Sequence, residues 1–129
     1  MRRTIFFLFI ILTTVFSFAQ TSGNTVNKQS LVAVKFRLYP TQNMWTFIKL
    51  NTRNGKMWQV QFDVEDNNRF ETYLNILPLV EEEEEVNDRF TLYPTENMWT
   101  FILLDQYSGK TWQVQWSIEP ENRVVIPIK

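Results

Sequence analysis

The sequence predicts an all-β fold: an antiparallel sandwich or flattened barrel built from two tandem three-stranded meanders related by a pseudo-twofold axis. Three observations predict it. One unit of the chain is written twice, apolar and polar residues alternate with period two within each copy, and proline, asparagine and glycine separate the alternating segments. The 129 residues are the length of one domain.

The duplication is visible without gaps, because residues 36–70 recur at 90–124, an offset of 54, with 21 of 35 positions identical. We therefore predict a single β domain over 31–129, with repeat one at 31–70, a linker at 71–88 and repeat two at 89–129. The linker carries five consecutive glutamates at 81–85. Like charges repel and stay solvated, and the alternative of a cation-binding tract lacks the spacing of a calcium loop.

The N-terminal segment has the order of a secretory signal peptide: a basic start, an apolar run, and small residues at Ser17 and Ala19, three and one positions before the expected cleavage. We expect residues 1–19 to be removed, because the apolar run is shorter than the roughly 20 residues of a spanning helix. The chain is then exported, to the periplasm or the extracellular space, with no membrane span after cleavage. Residues 20–30 are polar and predict a flexible N-terminal arm.

The strands of each repeat follow in order. The first is expected at 31–39 and ends at Pro40, as its copy ends at Pro94, because proline cannot donate to a β-ladder. The second is expected at 44–50 and 98–104, and the third at 56–64 and 110–118, where β-branched and aromatic residues dominate. Two further segments, 70–77 and 123–128, are expected to close the edges.

The hairpin between the second and third strands can be put in register from the sequence. Asn51 and Asp105 can fold their side chains onto a turn, and Gly55 and Gly109 supply the positive φ that such a turn needs. A four-residue loop then places Phe47 opposite Val60. The same loop in repeat two aligns the equivalent residues.

This register gives each hairpin two unlike faces. We call the large-residue side the heavy face and the other side the light face. We expect the two heavy faces to pack together, since a sheet must bury one face and aromatic pairs add about 0.5–1.5 kcal/mol each. The light faces are then either solvated or available to a partner. The predicted core aromatic residues are Trp45, Phe47, Trp58, Phe62, Trp99, Phe101, Trp112 and Trp116, and the light face holds Thr46, Ile48, Gln59, Gln61, Thr100, Ile102, Gln113 and Gln115.

The composition excludes several kinds of chemistry. The chain has no cysteine and no histidine, which removes disulfides, thiolate zinc sites and histidine-dependent catalysis. A net charge of -1 lacks the basic footprint of a nucleic-acid binder. No phosphate loop or metal-ligand spacing occurs, so we expect neither metal nor cofactor.

Carboxylates give the only basis for catalysis. Glu65 and Glu119 are the only acidic residues at equivalent positions, and we interpret them as ion-pair partners of Arg69 and Arg123. With Asp63 and Asp105 they are the candidates for a small hydrolase, which needs two carboxyls across a cleft.

Two copies of a polar turn are the candidate ligand patch. The tyrosines before them fall out of phase with the inward residues of their strands, and each precedes a Pro-Thr-x-Asn turn. The alternative is that the tyrosines pack and the threonines and asparagines close the turns. The candidate residues are Tyr39, Thr41, Asn43, Tyr93, Thr95 and Asn97.

The function predicted is therefore a non-catalytic secreted β-module that binds a protein or a glycan. The alternatives are a structural domain that self-associates through free sheet edges and a small hydrolase. The duplicated segments YPTxNMWTFI and GKxWQVQ resemble those of small secreted proteins of Bacteroidetes-type bacteria. The resemblance covers residues 36–128 and implies a bacterial, exported setting, and it carries over no activity and no functional residue.

Overall fold

The structure is a computed structural model that describes residues 33–129, so the predicted signal peptide and N-terminal arm lie outside the described residues. Eight strands and three short 3-10 helices occur in this part of the chain. None of the helices that the structure describes has the length and apolar character to span a membrane. The strands are β1 Phe36–Pro40, β2 Thr46–Asn51, β3 Met57–Gln61, β4 Phe70–Asn75, β5 Phe90–Pro94, β6 Thr100–Asp105, β7 Thr111–Gln115 and β8 Val124–Ile128; the helices are Asp66–Asn68, Glu82–Glu84 and Pro120–Asn122.

The eight strands form two four-stranded antiparallel sheets, in the order β1-β2-β3-β4 for sheet one and β5-β6-β7-β8 for sheet two. Each repeat thus contributes four strands, not three. The extra strands are those expected at the edges, and β4 takes up residues 71–75 of the predicted linker. An edge strand of this kind gives the backbone of β3 and β7 a second partner, as buried backbone groups require.

The hairpin turns adopt the predicted register. The Asn51 amide donates to the Lys56 carbonyl at 2.8 Å, and the Asp105 amide donates to the Lys110 carbonyl at 2.9 Å. Phe47 lies opposite Val60, and the equivalent residues of sheet two pair in the same way. The prediction is therefore confirmed.

The two turn glycines differ in what surrounds them. Gly55 has a φ of 78° and Gly109 a φ of 76°, in the left-handed region that other residues resist. A Cβ at Gly55 would also lie 2.7 Å from Leu79 Cδ1, whereas Gly109 has open space around it. The linker therefore packs against the first turn.

The two sheets share one core, but the faces that meet are not the two heavy faces. The buried cluster combines the light face of sheet one with the heavy face of sheet two. It contains Ile48, Leu50 and Met57 from the first and Phe90, Leu92, Phe101, Leu103, Trp112, Val114 and Trp116 from the second. The expectation that heavy face meets heavy face is wrong.

A difference between the repeats explains the choice. Leu103 and Val125 stand on the heavy face of sheet two where sheet one has Lys49 and Glu71. Burying that lysine and glutamate would remove two charges from water. The light face of sheet one is covered instead, and its arginine, Arg37, has the Asp88 carboxylate as a partner 2.8 Å away.

The predicted core aromatic residues divide accordingly. Phe101, Trp112 and Trp116 are buried, and Trp99 packs against the cluster. Their counterparts in sheet one lie outside it: Trp45, Phe47 and Trp58 are half-buried and Phe62 is exposed. The prediction of a core position is wrong for these four residues, because no second sheet covers their side.

Thr52, at the tip of the first hairpin, connects the two sheets. Its amide donates to the Lys35 carbonyl at 2.8 Å, and its own carbonyl accepts the Phe90 amide at 2.8 Å. Its hydroxyl donates to the Val34 carbonyl at 2.6 Å and accepts the Asp88 amide at 2.9 Å. One buried residue thus fixes the start of β5 against sheet one.

A buried ion pair fixes the corresponding tip of sheet two. Arg89 donates to the Asp105 carboxylate through Nε at 3.0 Å and Nη2 at 2.9 Å. Burial pushes the pKa of Asp105 up, but hydrogen bonds from Arg89, Ser108 and the turn amides outweigh it and lower that pKa from 3.8 to about 2. The same contact raises the pKa of Arg89.

The glutamate run passes beside the first hairpin. Glu82–Glu84 forms one turn of 3-10 helix and is exposed, as expected of a charged linker. Glu85 is different, because it accepts a hydrogen bond from Asn54 Nδ2 at 2.8 Å and lies 3.6 Å from Arg53. Glu85 thus holds the last part of the linker against the first hairpin turn.

Candidate functional site

The candidate site is the heavy face of sheet one, which no other described element covers. The pairing register places its members on one side, because residues directly opposite in an antiparallel pair share a face. Leu38 faces Lys49, Lys49 faces Trp58, and Trp58 faces Tyr73. The face comprises Phe36, Leu38, Trp45, Phe47, Lys49, Trp58, Val60, Phe62, Glu71 and Tyr73.

Aromatic side chains on this face form two clusters. In the first, the Trp58 ring lies 6.1 Å from that of Phe36 and 5.7 Å from that of Tyr73. In the second, the Phe62 ring lies 5.2 Å from that of Trp45 and 6.1 Å from that of Phe47. These separations are those of favourable aromatic pairs, so the rings within each cluster stabilise each other.

One pair of charges lies among the rings. Lys49 Nζ forms a salt bridge with Glu71 and lies 4.7 Å from the centre of the Trp58 ring. It is also 5.9 Å from the Phe36 ring. A lysine over an aromatic face gains a cation–π attraction, and its long stem covers part of the apolar surface. The face is therefore an aromatic surface with one ion pair, Lys49 and Glu71, among the rings.

Exposure separates this face from its copy in sheet two. Phe36 is 47% exposed and Leu38 60%, while the equivalent Phe90 and Leu92 are 1% and 3% exposed. A contiguous patch of exposed large apolar side chains is unusual on a monomer and marks interaction surfaces. The contrast between identical residues in the two sheets makes this face the strongest candidate.

The larger of two open cavities is lined in part by Phe36 and Leu38 of this face. A groove of about 810 Å³ follows strands β1 and β5 and contains the ion pair between Arg37 and Asp88, 2.8 Å apart. A smaller one of about 120 Å³ lies between the Pro-Thr-x-Asn turns, where Gln42 Nε2 donates to the Glu96 carbonyl at 3.5 Å. The structure thus brings the two predicted turns together.

The polar side chains of those turns are used within the turns themselves. Thr41 Oγ1 donates to the Thr46 carbonyl at 2.8 Å, and Asn43 Oδ1 accepts the Trp45 amide at 2.9 Å. Thr95 and Asn97 make the same two contacts, at 2.8 and 2.9 Å. The interpretation that these residues close the turns therefore accounts for their repetition.

The two tyrosines of the predicted patch differ in burial. Tyr39 packs against the core, and its hydroxyl lies 3.3 Å from that of Thr91. Tyr93 is 52% exposed on the light face of sheet two. Both line the groove between β1 and β5, whereas Thr41, Thr95 and Asn97 line the smaller cavity. The predicted patch is therefore divided between two cavities.

The candidate catalytic carboxylates have different surroundings. Asp105 is bound to Arg89 and Ser108, while Glu65 and Glu119 are exposed before 3-10 turns. The predicted ion pairs are wrong: Arg69 pairs with Asp66, and Arg123 donates to the Ser117 carbonyl at 2.9 Å. In residues 33–129, no group of acidic side chains is placed to hold a metal ion.

Sequence reasoning missed several members of the site, namely Lys49, Glu71 and Tyr73. A signal for them existed in the aligned repeats. Lys49 aligns with Leu103 and Glu71 with Val125, so the heavy face is charged in one copy and apolar in the other. Such a difference indicates which copy keeps that face in water.

Comparison with protein families, with characterised proteins and with solved structures finds no match for this chain.

Proposed function

We propose that this chain is an exported, non-catalytic interaction module, an open sandwich of two stacked repeats that binds a protein partner through the heavy face of sheet one. The observation that carries the proposal is the exposure of Phe36, Leu38, Phe62 and Tyr73 on one face. Aromatic residues are enriched in the centres of protein interfaces, where rigid rings bury a large area for little loss of side-chain freedom.

The chemistry of the face favours a protein over a glycan. A sugar needs hydrogen-bonding groups beside the aromatic platform, whereas the two charged residues on this face, Lys49 and Glu71, already pair with each other. The face is also an open sheet surface that borders a groove only at Phe36 and Leu38, and small-ligand sites are generally concave. A glycan partner is the outcome that the binding test below distinguishes.

The state of Asp105 favours binding over catalysis. The pKa of Asp105 is held at about 2 by hydrogen bonds from Arg89, Ser108 and the turn amides. A group in that state stays ionised at neutral pH and is a poor general acid or base. The chain's distinctive chemistry is thus its exposed aromatic surface.

The experiment is site-specific photo-cross-linking in cells that export the chain. A photoreactive phenylalanine at position 36 samples the heavy face, and the same residue at position 118 is the matched control, because Ile118 is 62% exposed beyond the end of β7. The proposal expects a discrete protein adduct from position 36 and none from position 118. Equal labelling at both sites, or no adduct at either, contradicts it, and adducts to polysaccharide alone assign the face to a glycan.

A further inference from the structure

The interface between the two sheets joins two unlike surfaces, and each surface has a second copy elsewhere in the molecule. Within the chain, the light face of sheet one covers the heavy face of sheet two. The two outer faces of the stack are the heavy face of sheet one and the light face of sheet two. No other element of residues 33–129 covers either of them.

The open light face of sheet two closely repeats the light face that is already in use. The pairs Ile48 and Ile102, Leu50 and Leu104, and Gln59 and Gln113 are identical at the offset of 54. In sheet one, these three residues are fully buried against sheet two, whereas Ile102, Leu104 and Gln113 are half-exposed. Tyr93, Thr100 and Gln115 repeat Tyr39, Thr46 and Gln61 in the same way.

The open heavy face of sheet one likewise repeats the heavy face that is covered. Most of its apolar positions are identical between the copies. The matching pairs are Phe36 and Phe90, Leu38 and Leu92, Trp45 and Trp99, Phe47 and Phe101, Trp58 and Trp112, and Val60 and Val114.

We propose that the partner of this face is a second copy of the chain, whose sheet two docks its light face on the heavy face of sheet one. The proposal rests on the proposed function and names its partner. The contact repeats the stacking seen within the chain, so the copies associate head to tail. Interfaces of this type form closed rings or extended filaments, depending on the rotation between subunits.

The positions at which the repeats differ are compatible with such a contact. Within the chain, Arg37 on the light face of sheet one pairs with Asp88 at 2.8 Å. At the proposed contact, Thr91 replaces the arginine and Val34 replaces the aspartate. Both charges are lost together, so no unpaired charge is buried.

The hairpin tips offer an equivalent connection. Thr52 accepts the Phe90 amide through its carbonyl, and Gln106 is the residue at the same position of sheet two. Gln106 already reproduces two of the other contacts of Thr52, because its amide donates to the Arg89 carbonyl at 2.9 Å and its side-chain amide donates to the Asp88 carbonyl at 2.7 Å. Its carbonyl is placed for the Phe36 amide of the next copy.

The ion pair between Lys49 and Glu71 makes this contact weaker than the internal one. These residues must be desolvated where Leu103 and Val125 bury apolar surface. We therefore expect reversible association. Replacing both by their repeat-two counterparts, Lys49→Leu with Glu71→Val, is expected to tighten it by about tenfold or more, since about 1.4 kcal/mol suffices for that factor.

The test is sedimentation velocity of residues 20–129 over a wide range of concentrations. The proposal expects species larger than the monomer that Leu38→Glu on sheet one and Ile102→Glu on sheet two each abolish. Near-ultraviolet circular dichroism establishes that both variants are folded. A 1:1 mixture of the two variants retains one intact pair of faces, so it must form a heterodimer and nothing larger.

Three outcomes overturn the proposal. An association that Leu38→Glu abolishes and Ile102→Glu leaves unchanged shows a symmetric contact between two heavy faces. A mixture of the variants that stays monomeric also excludes head-to-tail docking. Self-association is excluded if the wild type and the Lys49→Leu/Glu71→Val variant both stay monomeric at every concentration. In that case, an adduct from position 36 to another protein still supports the proposed function.

Discussion

Sheet one and sheet two come from nearly the same sequence unit, but they bury opposite faces. Phe90 lies in the core while Phe36 lies at the surface, and Gln59 is fully buried while Gln113 is half-exposed. The register of the central hairpin, β2 with β3 and β6 with β7, is the same in both sheets. The comparison teaches that the burial of a sheet face depends on the neighbour available to it as well as on its own composition.

The largest difference is expected between alanine substitutions at the two equivalent phenylalanines. Phe90→Ala removes a ring from the core and should cost about 3–5 kcal/mol of unfolding free energy, because a cavity remains. Phe36→Ala removes a half-exposed ring and should cost about 1 kcal/mol. Urea unfolding at concentrations where the chain is monomeric measures both, and equal costs would contradict the assignment of faces.

A second difference concerns the hairpin tips. Sheet two has the buried pair of Arg89 and Asp105, where sheet one has Lys35 and Asn51. Asp105→Asn leaves a buried arginine without its carboxylate and should cost about 3 kcal/mol. The double variant Arg89→Met/Asp105→Asn should cost less than the two single variants together, as thermal unfolding can show. Strictly additive costs would mean that the pair is not coupled.

The same carboxylate predicts an acid dependence. The pKa of Asp105 is about 2 in the folded chain and 3.8 without its partners, so its contribution is present above pH 4 and is lost as the pH falls toward 2. From 1.36 kcal/mol per unit, the loss is about 2 kcal/mol. Unfolding free energies of the wild type and Asp105→Asn should converge by that amount over this range. Parallel curves would show that Asp105 titrates normally.

The smallest expected effect lies at the two equivalent glutamines. The side-chain amide of Gln59 is buried and has no hydrogen-bond partner among residues 33–129, which costs free energy in the folded state. Gln59→Met should therefore raise the unfolding free energy by about 1 kcal/mol. Gln113→Met, on the open light face, should change it by less than about 0.5 kcal/mol. A destabilised Gln59→Met variant would indicate an ordered water or another partner for the amide.

Much of each sheet could be predicted from the sequence. The Asn51 and Gly55 turn fixes the local register, since Asn51 caps the loop amides and Gly55 supplies a positive φ. Local chemistry decides such features. The choice of buried face is not local, because a stack of two sheets covers only one face of each, and the residues that decide it, Lys49 and Glu71, lie on different strands.

The candidate site escaped prediction for the same reason. Trp58 and Trp112 have nearly the same sequence context, so a period-two pattern assigns both to the core. The signal that separates them is the pair of charges, Lys49 and Glu71, on other strands of the same face. The polar turns were misleading in the opposite way, because Thr41 and Asn43 recur to close a turn and not to meet a ligand.

The central claim is that the light face of sheet one packs on the heavy face of sheet two, and methyl nuclear Overhauser effects test it most directly. The account predicts cross-peaks from the methyl groups of Ile48 and Leu50 to those of Leu103 and Val114, which share one buried cluster. It predicts none between Val60 and Val114, which occupy equivalent heavy-face positions, and head-to-tail association does not change this. A cross-peak between Val60 and Val114, with none from Ile48 or Leu50 to sheet two, would show that the heavy faces meet and would contradict the account.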